Sequence, residues 1–337
     1  MRKIKTCIVG LGRLGRIHAQ NLALRLPQAD LTAVCSLSID ELQNAKKELG
    51  VNNCYTDFHK MIKEASIEAL VIASNSDQHC DQVVEALEAG LHVFCEKPLG
   101  VNMEECKKCE SAVNLYPKKV FMLGFMRRFD PSYQYADQKI KEGYIGKPVL
   151  FRSYSVDPVH AIKGSLAYLP YSAGQFLDMA IHDIDLARWL LNCEPKTVFA
   201  MGGCYAYKEF ADFEDGDNVS ALMQFENDTM VFLFAGRTAP HGYNIETEII
   251  GTEATLRIGS VPQKNLVELL DSTGIRRECS QSFPERFSQA FEDEMKEFLN
   301  CIIEERKPEI TVYDGIRANY IAELATKSFR ENKLIRF

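Results

Sequence analysis

The sequence predicts an α/β protein of two domains, a doubly wound parallel sheet followed by an α+β domain with a large, mostly antiparallel open sheet. Two observations support this prediction. Up to Gly124, short apolar runs alternate with longer amphipathic segments, a pattern typical of parallel strands joined by helical crossovers. Beyond it, apolar runs follow one another across short polar turns, as antiparallel strands do. We therefore expect one domain over 1–124 and a second over 125–337.

The individual elements follow from the same patterns. In the first domain, strands are predicted at 4–9, 31–35, 69–73, 92–95 and 121–123, and helices at 14–23, 40–49, 58–65, 79–89 and 103–113. In the second, strands are predicted at 149–154, 219–225, 230–235 and 266–270, and helices at 176–191, 291–304 and 313–330. Turn-forming residues at 143–148, 226–229 and 271–274 separate several of these elements.

Composition limits the classes of function. The 337 residues, 46% hydrophobic and 26% charged, have a globular composition and a length that suits two cores. A net charge of -8 argues against nucleic acid or an anionic membrane as partner, because neutralising phosphate needs a basic face. No run approaches the roughly 18 apolar residues that span a bilayer. The 11 scattered cysteines indicate reduced thiols, so we predict a cytoplasmic protein with a small-molecule substrate.

A glycine-rich loop lies between the first predicted strand and the first predicted helix. Its residues are Gly10, Leu11, Gly12, Arg13, Leu14 and Gly15. In a dinucleotide-binding loop the first glycine permits the tight turn, the second lets the backbone approach the pyrophosphate, and the third allows close helix packing. The position of this loop after a strand and before a helix predicts dinucleotide binding. A purely structural strand–helix turn is the alternative.

The choice of dinucleotide depends on the end of the second predicted strand. Ser36 lies about twenty residues beyond the loop, where an acid usually binds the adenosine ribose. Without a carboxylate there, the usual exclusion of NADP is missing, and Arg13 could reach a 2′-phosphate from the loop. Asp40 is expected instead to stabilise the amino terminus of the following helix through its interaction with the helix dipole. These residues alone leave both NAD and NADP open.

Glu96, Lys97 and Pro98 directly follow the predicted strand at 92–95. The carboxyl ends of strands in a doubly wound sheet face the ligand crevice, so Lys97 is expected near the nicotinamide, on a turn fixed by Pro98. A surface lysine at the end of a strand is the alternative.

A polar pair interrupts the apolar helix predicted at 176–191. Asp178 and His182 are four residues apart, which places both on one face of an α-helix. Oxidising a carbinol requires a base for the hydroxyl proton and a donor to the oxygen. We predict His182 as the base, Lys97 as the donor, and Asp178 as the residue that orients the histidine or binds a neighbouring hydroxyl. A structural His–Asp hydrogen bond is the alternative, and the absence of a third ligand argues against zinc.

Five segments make the sequence similar to the glucose–fructose oxidoreductase and inositol dehydrogenase family (Gfo/Idh/MocA), and most of all to its myo- and scyllo-inositol 2-dehydrogenases. They are the glycine loop, 74–79, 96–98, 124–130 and 176–185, so the resemblance covers nearly the whole chain. It implies a Rossmann domain, NAD as cofactor with NADP possible, and oxidation of a secondary alcohol of a cyclic polyol, above all inositol. It also implies a homotetramer joined through the open faces of the C-terminal sheets.

The resemblance further implies roles for individual residues. Those implied to bind the cofactor, besides the glycine loop with Arg13 and Leu14, are Ser36, Ser74, Asn75, His79, Glu96 and Lys97. Those implied to bind substrate are Arg127, Asp157, Asp178, His182 and Tyr243. Ser155 and Asp157 replace the histidine and asparagine of the best-known myo-inositol pattern, which leaves the preferred stereoisomer open.

Two other functions compete with inositol oxidation. One is an aldose or dihydrodiol-type dehydrogenase of the same family, and the other is a dinucleotide-sensing regulator that has no catalytic activity. A regulator would be expected to lack Lys97, Asp178 and His182, which are all present here. Neither a metal nor a second cofactor is expected.

Overall fold

The computed structural model describes residues 2–259 and 263–337. The chain forms two compact units. Unit 1 contains Met1–Phe129 and Gln289–Asn319, and unit 2 contains Asp130–Ser288 and Tyr320–Phe337.

Unit 1 is built on a six-stranded sheet in the order β3-β2-β1-β4-β5-β6. Its strands are β1 (Ile4–Val9), β2 (Ala29–Cys35), β3 (Asn53–Tyr55), β4 (Ala69–Ile72), β5 (His92–Glu96) and β6 (Phe121–Gly124). Every neighbouring pair is parallel. This strand order is that of the Rossmann fold, so the predicted fold of the first domain is confirmed.

The helices of unit 1 join successive strands. They are α1 (Arg13–Gln20), α2 (Ile39–Leu49), α3 (Phe58–Glu64), α4 (His79–Glu88) and α5 (Met103–Leu115). All residues of β4 and β6 are buried, because helices cover both faces of a parallel sheet. This burial explains why these strands have continuous apolar sequences. The short strand β3 was not predicted, because its three residues are at most half-buried and carry no apolar run.

Unit 2 is built on a seven-stranded sheet in the order β12-β11-β7-β10-β9-β8-β15. Its strands are β7 (Pro148–Pro158), β8 (Pro195–Gly203), β9 (Asn218–Phe225), β10 (Met230–Ala239), β11 (Asn244–Gly251), β12 (Thr255–Ile258) and β15 (Ile335–Arg336). Only β7 and β10 pair in parallel among these strands. The predicted mostly antiparallel sheet is therefore confirmed.

Unit 2 also contains helices and a separate hairpin. The helices are α6 (Pro131–Lys141), α7 (Ile162–Ser172) and α8 (Ile181–Leu191), and the hairpin consists of β13 (Gln263–Asp271) and β14 (Gly274–Cys279). The hairpin agrees with the strand at 266–270 and the turn at 271–274. Helices α6 and α7 were not predicted. An internal proline, Pro170, obscures the helical pattern of α7.

The helix predicted at 176–191 begins with a π-helical turn. Phe176–Ala180 is π-helical, and α8 continues from Ile181. A π turn hydrogen-bonds residue i to i+5 and is frequent at functional sites. Asp178 lies inside this π turn, where the number of residues per turn differs from that of an α-helix. A separation of four residues therefore does not by itself place Asp178 and His182 on the same face of the helix.

Two long helices close the chain and contribute to both units. They are α9 (Phe283–Ile303) and α10 (Val312–Glu331). Met295, Phe298 and Leu299 of α9 are fully buried in the same core as Ile8 and Phe94 of the first sheet. The segment Gln289–Asn319 therefore belongs to unit 1, whereas the sequence suggested that everything after 124 forms the second domain.

Over the described ranges, none of the helices combines the length and the apolar character needed to cross a membrane.

Candidate active site

The glycine loop has the geometry that its sequence predicts. Gly10 adopts a φ of +85, and a Cβ atom there would lie 2.3 Å from the carbonyl oxygen of Ala73. A Cβ atom on Gly15 would lie 2.0 Å from the carbonyl oxygen of Gly10. By contrast, a Cβ atom on Gly12 would meet nothing within 4 Å. Close packing thus requires the first and third glycines, and the second leaves the loop open to a ligand.

The amino terminus of α1 is suited to an anion. Gly12 is its N-cap, no side chain caps it, and its first turn contains no acidic residue. The first backbone N–H groups and the positive end of the helix dipole remain available to a phosphate. Arg13, which is exposed, and Leu14, which is half-buried, form the first turn. These residues fit a dinucleotide pyrophosphate.

Ser36 follows β2 and is 7% exposed. Its hydroxyl donates a hydrogen bond to Oε2 of Glu41 at 2.5 Å. Its own Oγ accepts from the backbone N–H of Ser38 at 3.1 Å. A carboxylate therefore lies beside the expected ribose position, although it comes from α2 and not from the end of β2.

The loop after β4 contains Ser74, Asn75 and His79. Ser74 donates to the side chain of Gln82 at 2.6 Å, and Asn75 is exposed. Burial lowers the pKa of His79, which favours a neutral ring. Nδ1 of that ring lies 2.8 Å from the carbonyl oxygen of Pro98, and Nε2 lies 3.2 Å from the carbonyl oxygen of Ser74. His79 therefore links two loops, a placement that supports positioning of Ser74 and Lys97 more than direct contact with a cofactor.

Glu96 and Lys97 lie at the carboxyl end of β5. Lys97 is half-buried, and its backbone N–H donates to Oε2 of Glu96 at 3.3 Å. The Lys97–Pro98 peptide bond is cis. On its other oxygen, Glu96 accepts from Nε2 of His18 at 2.6 Å. The backbone at Lys97 is thus anchored through Glu96 to a histidine of α1.

A third buried group, Glu294, lies beside His18 and Glu96. Both Glu294 oxygens are buried without a hydrogen-bond partner among the described residues, and Oε1 is 3.9 Å from Nε2 of His18. The three side chains offer polar atoms within 4.8 Å of one another, and the 2.6 Å between Nε2 of His18 and Oε1 of Glu96 is a hydrogen-bond distance. Burial, together with the charge of Glu96, raises the pKa of Glu294 well above 4.5, which makes a neutral carboxyl group the favoured form.

Replacing Glu294 with glutamine is expected to remove a pH-dependent loss of stability. The folded state holds the Glu294 proton more tightly than the unfolded chain does. Protonation of Glu294 therefore stabilises the folded protein fully below about pH 4.5, and this stabilisation is lost as the pH rises towards the pKa of Glu294 in the folded state. The measurement is the free energy of unfolding in urea between about pH 5 and about pH 9. Wild type should lose more stability over this range than Glu294→Gln.

Asp215 provides an internal reference for that comparison. Burial raises its pKa to about 6, so it causes a similar decline in both proteins. Only the difference between the wild-type and Glu294→Gln curves of unfolding free energy against pH measures the effect of Glu294. Parallel curves would show that Glu294 is ionised in the folded protein.

In unit 2, Asp157 and Asp178 are held by a buried arginine that was not predicted. Arg237 is 5% exposed and donates to Asp178 at 2.5 Å and to Asp157 at 3.0 Å. It also donates to Gln175 at 2.8 Å and to Ser165 at 2.9 Å. Burial opposes its charge, but Asp178 and Asp157 outweigh burial and raise the pKa of Arg237. Both carboxylates keep a half-buried surface.

His182 and Asp183 are adjacent in α8 but have different surroundings. Asp183 is buried and accepts hydrogen bonds from Ser153 at 2.5 Å and from Ser155 at 2.6 Å. Ser155, one of the two residues that differ from the best-known myo-inositol pattern, is therefore engaged in the interior of unit 2. His182 is 9% exposed.

The other two predicted substrate residues are largely buried. The ring of Tyr243, 7% exposed, packs edge-on against Phe287 with centroids 6.4 Å apart. Arg127 is 2% exposed and lies in a 3-10 turn, Met126–Phe129, that follows β6. Their proposed contacts with substrate stay predictions.

Comparison with known proteins identifies the family of the chain. Residues 4–124 match the family described as an oxidoreductase family with an NAD-binding Rossmann fold, and residues 133–257 match the GFO/IDH/MocA C-terminal domain. The scyllo-inositol 2-dehydrogenase (NAD(+)) of Bacillus subtilis is 31% identical over 332 residues, which cover 97% of this chain and 94% of that protein. The chain belongs to the GFO/IDH/MocA family.

Solved structures of GFO/IDH/MocA proteins agree closely with this fold. The scyllo-inositol dehydrogenase of Lactobacillus casei, with bound NAD(H) and scyllo-inositol, has a TM-score of 0.95 and 44% identity, covering 99% of each chain. The myo-inositol 2-dehydrogenase of Lactobacillus plantarum has a TM-score of 0.98 and 36% identity, covering 100% of each chain. As a GFO/IDH/MocA member, this chain is an NAD-dependent oxidoreductase that acts on CH–OH groups.

The predicted site residues of this GFO/IDH/MocA protein are divided between the units. The glycine loop, Ser36, Ser74, Asn75, His79, Glu96, Lys97 and Arg127 lie in unit 1, whereas Asp157, Asp178, His182 and Tyr243 lie in unit 2. Within unit 2, the structure brings Asp157 and Asp178 together on Arg237. Sequence reasoning missed Arg237, although a lone arginine in the otherwise apolar run of β10 could have signalled it.

Proposed function

We propose that this chain oxidises a secondary alcohol of inositol with NAD as hydride acceptor. The observation that carries this proposal is the pair of carboxylates, Asp157 and Asp178, fixed by buried Arg237 and still partly accessible. Carboxylates accept hydrogen bonds from hydroxyl groups, and two held together can bind neighbouring hydroxyls of one polyol. Related proteins named as inositol dehydrogenases support the same substrate class.

The proposed chemistry assigns one task to each residue. NAD, when bound at the glycine loop, supplies the hydride acceptor. His182 takes the proton of the reacting hydroxyl onto its imidazole, the side chain that most often serves as a general base. Lys97 donates a hydrogen bond to the same oxygen and stabilises the negative charge that develops there. Asp178, held by Arg237, orients the substrate through a neighbouring hydroxyl.

Arg237 fixes the position of Asp178. Oδ2 of Asp178 accepts a hydrogen bond from Arg237. A carboxylate held in this way suits the second of the two roles considered, binding of a substrate hydroxyl.

Turnover across a substrate panel tests the proposed function. NADH formation is measured with scyllo-, myo- and chiro-inositol, with glucose and xylose, and with a cyclic dihydrodiol. We expect kcat/KM to be highest for an inositol isomer, by at least about tenfold over the aldoses, because Asp157 and Asp178 are held together and can accept hydrogen bonds from adjacent hydroxyls. A higher value for an aldose or for the dihydrodiol would favour the alternative dehydrogenase. NADH binding with no turnover of any substrate would favour a regulator.

We also propose a cytoplasmic homotetramer. All eleven cysteines are free, which suits a reducing compartment. Apolar side chains such as Met201, Leu222 and Met230 are about half exposed on strands of the unit 2 sheet, where a second copy could cover them. Sedimentation equilibrium tests this state, and a monomer at micromolar concentration would contradict it.

A further inference from the structure

We propose that Glu41, acting through Ser36, makes this protein select NAD over NADP. The inference concerns residues of unit 1 alone and rests on NAD being the cofactor. It assigns to a glutamate of α2 the task that usually belongs to an acid at the end of β2.

Ser36 is held in place at the position where the adenosine ribose is expected. It directly follows β2, and its backbone N–H donates to the carbonyl oxygen of Tyr55 at 3.1 Å. Its side chain is held by Glu41 and by the N–H of Ser38. The hydroxyl therefore has a fixed orientation before any ligand binds.

The contact with Glu41 determines which groups Ser36 can bind. An ionised carboxylate only accepts hydrogen bonds, so the single hydroxyl proton of Ser36 must point to Glu41 at 2.5 Å. The N–H of Ser38 occupies one of the two lone pairs on Oγ. The remaining lone pair can accept a hydrogen bond but cannot donate one. A ribose 2′-hydroxyl is a donor and fits, whereas an ionised 2′-phosphate offers only acceptors.

The negative charge of Glu41 is a second reason for the preference for NAD over NADP. A 2′-phosphate carries about -1.5 to -2 charges near neutral pH and would lie near the Glu41 carboxylate. A cavity of about 220 Å³ beside the glycine loop is lined by Gly12, Arg13, Arg16, Glu41 and Glu48, among others. Arg16 is paired with Glu48 at 2.7 Å, and the other two charged residues of this lining, Arg13 and Glu41, have opposite charges. Removing the charge of Glu41 would leave this wall net positive.

The geometry also explains why the neighbouring acid is a suitable control. Asp40 and Glu41 both lie in the first turn of α2, but Asp40 is exposed, and the residue that accepts the hydroxyl proton of Ser36 is Glu41. Neutralising either residue removes one negative charge from the same helix end. Only Glu41→Gln removes the acceptor of the Ser36 proton.

Direct binding of NADH and NADPH tests the proposal without catalysis. Dissociation constants are measured by nucleotide fluorescence for wild type, Glu41→Gln, Asp40→Asn and Ser36→Ala. Wild type should bind NADH at least about tenfold more tightly than NADPH. Glu41→Gln should narrow this ratio by about tenfold or more, mainly by binding NADPH more tightly, and Asp40→Asn should leave it unchanged. Ser36→Ala should weaken NADH binding by a few fold, since one hydrogen bond is lost.

Several outcomes would overturn the assignment. NADPH binding to wild type as tightly as NADH would do so, as would an unchanged ratio in Glu41→Gln. If the NADH-to-NADPH affinity ratio changed equally in Glu41→Gln and Asp40→Asn, the preference would depend on the total charge at the end of α2 and not on the contact between Glu41 and Ser36. Failure to oxidise any polyol would contradict the proposed function but would leave these binding ratios, and this inference, intact.

Discussion

Replacing Lys97 or His182 with alanine is expected to lower kcat by about a hundredfold or more, because a positioned acid or base typically contributes that much to proton transfer. Neither residue belongs to the glycine loop, which is expected to provide most of the pyrophosphate recognition. NADH affinity should therefore stay within about threefold of wild type, so that the loss is in the chemical step and not in binding. Initial rates with the preferred inositol and fluorescence titration with NADH measure the two effects separately.

An exposed lysine of unit 1 controls for the loss of a positive charge. Lys107 lies on α5 and is exposed, so Lys107→Ala should keep wild-type rates. Near-wild-type turnover in Lys97→Ala or in His182→Ala would show that the replaced residue does not take part in the chemical step. Equal losses in all three variants would point to a general effect of charge or handling.

Replacing Arg237 with glutamine is expected to damage both activity and stability. It leaves Asp157 and Asp178 without the cation between them, and breaking a buried ion pair by removing one partner costs about 3–5 kcal/mol. Because both carboxylates are half-buried, water offsets part of this cost, and the lower end of the range is expected. The carboxylates should also lose their fixed positions, so kcat/KM for inositol should fall by about a hundredfold. Urea unfolding and steady-state kinetics provide the two measurements.

Two further variants show whether geometry matters beyond charge. Arg237→Lys keeps the charge but cannot reproduce the planar fork of donors, so it should recover more stability than activity. Arg257 pairs with Glu248 on β11 with 59% of its side chain exposed, and Arg257→Gln should change neither property. An Arg237→Gln protein with wild-type unfolding and wild-type kcat/KM would show that the two carboxylates do not depend on this arginine.

The elements that the sequence predicted best are those whose pattern is local. Strands β4 and β6 of unit 1 are apolar throughout because they are buried on both faces, and the glycine loop has a fixed spacing that steric contacts enforce at Gly10 and Gly15. The short strand β3 and the proline-containing helix α7 lack such a pattern, so they were missed. The π turn at Phe176–Ala180 has no distinct residue spacing, so the sequence predicted an uninterrupted helix there.

Site residues could be predicted where a residue with suitable chemistry stands at a position whose place in the fold is evident from the sequence. Lys97, at the end of a predicted strand, is such a residue. It was not predictable where partners are distant in sequence. Arg237 is 59 residues from Asp178 and 80 from Asp157, and Glu294 approaches His18 from the other end of the chain. Glu41 is only 5 residues from Ser36, but its side-chain direction depends on where α2 begins. Such contacts depend on the tertiary fold, which local pattern does not specify.

The central claim is direct hydride transfer from a polyol carbon to NAD, and isotope transfer tests it most directly. Wild-type protein is incubated with NAD and with an inositol that carries deuterium on the carbon of the reacting hydroxyl, and the reduced nucleotide is analysed by mass spectrometry and NMR. The account predicts one deuterium on the nicotinamide ring, together with a ketone product, and neither in His182→Ala over the same time. Unlabelled NADH, or no reduction with any inositol isomer, would contradict it.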